Sequence, residues 1–179
     1  YKVYKNLLFR SSYGINNLQV QNKSFLNPIH GGGASANGSA TNIFSKFYRF
    51  DWVNTLSFNT TLGEHHNFSI ILGTERIKTT VNSWGAQRTN ITDPDYSNYQ
   101  GGFANISPIG NVFTENALLS YFSNVTYDFN RKYLLSFNFR RDGLSALADG
   151  NKFGNFGGAS IGWNVYKEDF FQNASFKDY

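Results

Sequence analysis

Not one of the 179 residues is cysteine. That absence excludes a disulfide framework, a thiolate metal site and a cysteine nucleophile. No run of about 18 or more apolar residues occurs, so helical membrane spans are excluded. A barrel strand escapes that test, because only alternate residues of such a strand face lipid. Methionine is also absent, even at position 1, and the chain opens in a strand-like context, so residues 1–179 read as one partial domain from the interior of a longer protein, for which the missing signal-peptide pattern is uninformative. Sixteen Lys and Arg against twelve Asp and Glu leave a net charge of +4. The basic residues form neither a run nor a helical stripe, which argues against a nucleic-acid partner.

Aromatic residues make up 18% of the chain, a high share for a soluble domain, and they fall on a period of two. Leu119, Tyr121, Ser123, Val125 and Tyr127 alternate with Ser120, Phe122, Asn124, Thr126 and Asp128. After a short turn, Tyr133, Leu135, Phe137 and Phe139 alternate with Leu134, Ser136, Asn138 and Arg140. Ala159, Ile161, Trp163 and Val165 alternate with Gly158, Ser160, Gly162 and Asn164. Earlier, Leu7 to Gly14, Phe50 to Asn59 and Phe68 to Glu75 show the same partition. This predicts an all-β chain, an antiparallel up-and-down meander of about six strands. Glu168-Asp169-Phe170-Phe171, within 166–173, reads as a one-turn helix.

Periodicity fails over Asn16 to Thr41 and Val81 to Asn116, which are expected as loops. The connections then run long, short, long, short, medium, short. Outer-membrane barrels segregate short periplasmic turns from longer extracellular loops in this way, whereas a soluble sandwich has no reason to. Tyr127, Tyr133 and Trp163 fall on the short-turn side, where a membrane interface favours amphipathic rings. The chain is therefore expected to form part of a transmembrane β-barrel in contact with outer-membrane lipid. Phe50, Trp52, Phe68, Ile70, Tyr121, Val125, Leu135, Phe137, Ile161 and Trp163 are predicted to share its lipid-facing side.

No residue set points to catalysis, a cofactor or a metal, so none is assigned and an enzyme is not expected. His65-His66 beside Glu64 lacks the spacing of three or four that places ligands on one helix face. Asp93-Pro94-Asp95 has too few oxygen-bearing positions for a calcium loop and reads as a turn. Gly31 to Gly38 lacks the Lys-Ser/Thr ending of a phosphate loop. Asp51, Glu75, Asp128 and Arg140 share the inward parity, which suits a wet lumen better than a reaction. Trp84, Tyr96, Tyr99, Phe103 and Phe113 fall in the second aperiodic stretch, where aromatic rings could stack on a ligand or pack on a partner.

Ser120-Tyr121-Phe122, Asn124-Val125-Thr126-Tyr127-Asp128, Lys132-Tyr133-Leu134-Leu135, Arg140-Arg141-Asp142-Gly143 and Phe153-Gly154 through Ile161-Gly162-Trp163 resemble, in order and spacing, the barrel of SusC/RagA-family TonB-dependent transporters. Asn59 to Gly63, His66-Asn67 and Leu72 to Glu75 resemble an earlier hairpin of the same family. The resemblance implies a plugged barrel of about 22 strands in the cell outer membrane, importing glycans or oligopeptides. It implies TonB acting through parts of the protein outside this stretch, plug included. It also implies a SusD-like surface lipoprotein as lid, with Trp84, Tyr96, Tyr99 and Phe103 as candidate ligand or lid contacts. The competing reading is a soluble β-sandwich carbohydrate-binding module, which would bury Trp52, Phe137 and Trp163 against a second sheet.

Overall fold

The computed structural model describes residues 2–4, 6–93, 95 and 101–172. Seven strands form a single sheet in chain order: β1 (Lys2–Tyr4), β2 (Leu7–Leu26), β3 (Ser39–Leu62), β4 (His66–Ile91), β5 (Phe103–Phe129), β6 (Tyr133–Leu144) and β7 (Phe153–Trp163). Six long strands thus follow a three-residue β1, which is too short to show a period. A 3₁₀ turn over Gly31–Ala36 precedes β3, and another over Val165–Lys167 leads into α1 (Asp169–Gln172). The expected one-turn helix therefore forms, although its predicted end at Asn173 lies outside the described residues.

The two aperiodic stretches are mostly strand, which corrects their expected role as loops. β2 runs on to Leu26 and β3 starts at Ser39, while β4 continues to Ile91 and β5 begins at Phe103. Residues 16–26 of β2 are exposed on both sides, so burial does not sort their side chains into two sets there. Main-chain pairing with the neighbouring strand carries this part of β2. The longer connections shrink to 27–38, 92–102 and 145–152, and still alternate with the tight turns at 63–65 and 130–132.

The chain forms two compact units. In the first (1–14, 51–77 and 117–179), β5 and β6 pair from Leu118↔Leu144 to Phe129↔Tyr133. β6 and β7 pair from Tyr133↔Trp163 to Gly143↔Phe153. The β5–β6 turn has Asn130 and Arg131 both at φ 54°, the left-handed geometry of a type I′ hairpin turn, whose twist matches that of the strands. Asp128 Oδ1 accepts from the Arg131 amide at 2.9 Å and ties the turn down. Two glycines sit under aromatic rings of the next strand: Gly73 under Phe122 and Gly143 under Phe153. The ring covers main chain that a glycine would otherwise leave bare.

The second unit covers 15–50 and 78–116. Here the end of the 27–38 connection is latched to β4: Asn37, at φ 47°, donates through Nδ2 to Asn90 Oδ1 at 2.8 Å. Its carbonyl accepts from the Ile91 amide at 2.7 Å. Among the described residues a single hydrophobic side chain, Ala40, is buried, and no second sheet lies against the first. A sandwich core is therefore absent from the described residues.

Candidate functional site: the two faces of the sheet

Register assigns the faces of the first unit. Tyr121 pairs with Arg141, Val125 with Phe137 and Tyr127 with Leu135, while Leu135 pairs with Ile161 and Tyr133 with Trp163. Directly paired residues project to the same side, so Tyr121, Val125, Leu135, Phe137, Ile161 and Trp163 share one face. Phe68 joins them through its ring, 4.8 Å from that of Tyr127, and Ile70 follows by parity along β4. Trp52 lies on the same side as Ser11, whose hydroxyl oxygen accepts from the indole Nε1 at 3.0 Å. Phe50 shares the parity of Trp52 along β3. This face is apolar and bare: Phe137 is 52% exposed and Ile161 85%.

The opposite face is polar. Arg140 Nη2 donates to Glu75 Oε2 at 2.7 Å and to Ser120 Oγ at 3.0 Å, and its Nε reaches Asp142 Oδ1 at 2.7 Å. Ser120 is fully buried beneath it, and the guanidinium lies 5.8 Å from the centre of the Phe122 ring. Asn67 links Thr61 to Asp128 at 2.7 and 3.0 Å. One arginine shared by two carboxylates makes charge-assisted hydrogen bonds that tie three strands together rather than readying an acid and a base. Of the four inward charges, Glu75 and Arg140 meet, Asp128 serves the turn, and Asp51 stands near Gly14. Among the described residues no three of His, Asp and Glu cluster as metal ligands would.

At the tight-turn end the polar tips of the rings are all engaged. His66 Nδ1 and the Tyr127 hydroxyl are 2.8 Å apart. Glu168, just before α1, accepts from the Tyr133 hydroxyl at 2.7 Å, from Trp163 Nε1 at 3.1 Å and from Lys132 Nζ at 3.2 Å. The Tyr133 hydrogen bond foremost, then those from Trp163 and Lys132, hold the Glu168 carboxyl below the usual carboxylate range. A depressed folded pKa gives stability that is complete above the unfolded value, about 4.3, and is lost as pH falls through the folded one. Peptic cleavage at Phe170 is accordingly expected to rise as pH drops through that window in the wild type. Glu168→Gln, already lacking the charge, should be cleaved readily throughout; a wild-type rate that does not change with pH would refute the clamp.

The four aromatic candidates separate. Trp84 stands within β4 and Phe103 opens β5, so neither occupies a loop as expected. The cause is the polar continuation of both strands. Trp84 is 60% exposed and packs its ring 5.7 Å from that of Phe44. Tyr96 and Tyr99 lie outside the described residues. What sequence reasoning missed is Glu168 as a carboxylate collecting three donors, and Ser120 as a buried support for Arg140. Neither carries a local signal, since their partners arrive from other strands.

No family model matches the chain. It is 28% identical over 177 residues, 98% of its length, to TonB-dependent receptor P3 of Formosa agariphila. It is 34% identical over 62 residues, 35% of its length, to the TonB-dependent receptor SusC of Bacteroides thetaiotaomicron. Its fold superposes on a structure of the RagAB peptide transporter with a TM-score of 0.81 at 18% identity, covering 94% of this chain and 19% of that one. A second RagAB structure, a peptide importer in a closed-closed state, gives 0.82 at 19% identity over 96% of this chain and 19% of that one. The chain spans 18% of the length of receptor P3 and 6% of that of SusC.

Proposed function

We propose that the chain is a stretch of the barrel of a SusC/RagA-family TonB-dependent transporter, similar as it is to TonB-dependent receptors, and that it forms part of the wall of an outer-membrane importer of large nutrients, glycans or oligopeptides. The observation that carries this reading is the pair of faces. One is apolar, uncovered and bordered at the tight-turn end by rings whose polar tips are engaged. The other is a hydrogen-bonded charge network. A barrel wall between lipid and an aqueous lumen needs that division, and a soluble protein would bury the apolar face. The ten residues from Phe50 to Trp163 named for the lipid side are the wall's outer surface in this proposal.

Strand length supports a further division of labour. A tilted transmembrane strand needs about 9–11 residues. β6 and β7, with 12 and 11 residues, fit that span, whereas β4 and β5 have 26 and 27 and extend beyond the bilayer. On the extracellular extensions, exposed Trp84, packed on half-buried Phe44, is an apolar surface with no lipid to cover it, and it is assigned to the SusD-like lipoprotein lid. TonB, in this proposal, acts through parts of the protein outside this stretch, the plug included. Trp84→Ala in the full-length protein is expected to leave outer-membrane abundance unchanged and to weaken co-purification of the lid lipoprotein. Unchanged lid recovery would remove Trp84 from that interface.

The reading as a whole is tested by lipid-phase accessibility of spin labels in the full-length protein. A label at position 137 should be quenched by a lipid-soluble relaxant, and one at 138 by a water-soluble relaxant. The reverse pattern would turn the wall inside out.

A further inference from the structure

The apolar face ends in cations. Beyond Leu72 and Thr74 on β4, the next residue of the same parity is Arg76, and beyond Phe137 and Phe139 on β6 it is Arg141. Both side chains are exposed, and neither has an acidic partner among the described residues. The Arg141 guanidinium lies 4.9 Å from the centre of the Phe153 ring. That ring in turn walls a depression of about 410 Å³ lined also by Arg76, Ala117, Leu119, Gly143 and Lys152. Gly143 matters here, because the Phe153 ring fills the place of its missing side chain. Lys152 is paired at 2.6 Å with Asp149, itself 96% exposed, a contact that water and salt weaken.

Charges on a lipid-facing side are costly at mid-membrane and nearly free at the interface, so Arg76 and Arg141 place this depression at the rim. Tyr133 and Trp163 mark the opposite, tight-turn rim, which makes this one extracellular. The outer leaflet there is built of glycolipid carrying phosphate groups. An arginine fork matches phosphate geometry and charge, and Leu119, Ala117 and Phe153 below it match the start of an acyl chain. We propose that Arg76, Arg141 and Lys152 form a site for the phosphate of an outer-leaflet glycolipid, holding one lipid against the outer wall between β4 and β7. The proposal rests on the lipid-facing assignment above.

The test uses the full-length transporter in mild detergent and native mass spectrometry with diphosphoryl lipid A, dephosphorylated lipid A and inorganic phosphate at matched concentrations. Diphosphoryl lipid A is expected to remain bound and the dephosphorylated form to be lost. Removing two cations that each meet an anionic lipid surface, in the double variant Arg76→Gln/Arg141→Gln, should weaken retention about thirtyfold. Arg76→Lys/Arg141→Lys, which keeps the charge, should retain most of it and controls for misfolding. Equal retention of the two lipids, or of wild type and the Gln variant, would overturn the proposal. Displacement of lipid A by equimolar inorganic phosphate would also overturn it, showing a free-phosphate site. Failure here with a lipid-accessible label at position 137 leaves the wall assignment standing; a lipid-protected label removes both.

Discussion

Phe137→Arg in the full-length protein is expected to reduce outer-membrane abundance sharply. Phe137 lies midway along β6 between Tyr133, at the tight turn, and Arg141, where charge returns to the same face. Its ring is half exposed on a side with no covering sheet. A charged side chain near mid-membrane on the lipid face of a barrel costs about 2–4 kcal/mol, a large part of the stability of a typical domain. Asn138→Arg is the internal comparison. Asn138 pairs with Gly158 and its amide lies over that glycine, on the face of the Glu75–Arg140 network, so a longer polar side chain has room in an aqueous lumen. Abundance of Asn138→Arg should match wild type. If Phe137→Arg accumulates normally and Asn138→Arg does not, the faces are reversed.

Gly85→Ala should produce the next largest loss. In the second unit the main chains of β3 and β4 approach so closely that a methyl group at position 85 would fall inside contact distance of the Asn42 carbonyl oxygen. It would also stand 2.9 Å from Ile43 Cα. Main-chain atoms cannot rotate away as a side-chain tip can, so the strands must separate or the pairing must shift. Overpacking of this kind costs about 1–3 kcal/mol. The temperature of the folded-to-unfolded gel shift of the full-length barrel should fall for Gly85→Ala. It should stay put for Gly32→Ala, where nothing lies within 4 Å of the added carbon. Equal midpoints for the two would mean that β3 and β4 are not in close approach at Asn42.

Where one face of a strand differs chemically from the other, alternation alone reported strand and facing. β6, β7 and the second half of β5 form over the residues whose pattern is clean, and Tyr121, Val125, Leu135, Phe137, Ile161 and Trp163 share a face as their parity requires. Where the faces do not differ, the pattern was silent. Residues 16–26 of β2 are exposed on both sides, and Trp84 sits in a stretch of β4 whose neighbours are mostly polar, so the sequence reads as loop at both places where strand forms. The resemblance to the transporter family rested on the periodic stretch and carried the fold class with it.

Composition and period by themselves determined that this chain is built of strands in a meander, that no cysteine chemistry is available to it, and that one side of its central strands is apolar. Those properties follow from each residue's own chemistry and from a two-residue repeat, which are local. Register decided the rest. Lys132, Tyr133 and Trp163 meet on Glu168 because Tyr133 pairs with Trp163 and the turn after β7 folds back on them. Glu75, Ser120 and Arg140 meet because three strands bring one level of the sheet together, and scattered Arg76 and Lys152 come to line one depression in the same way. Such groupings depend on which residues stand opposite each other across strands, a spacing that main-chain hydrogen bonding sets and no single strand encodes.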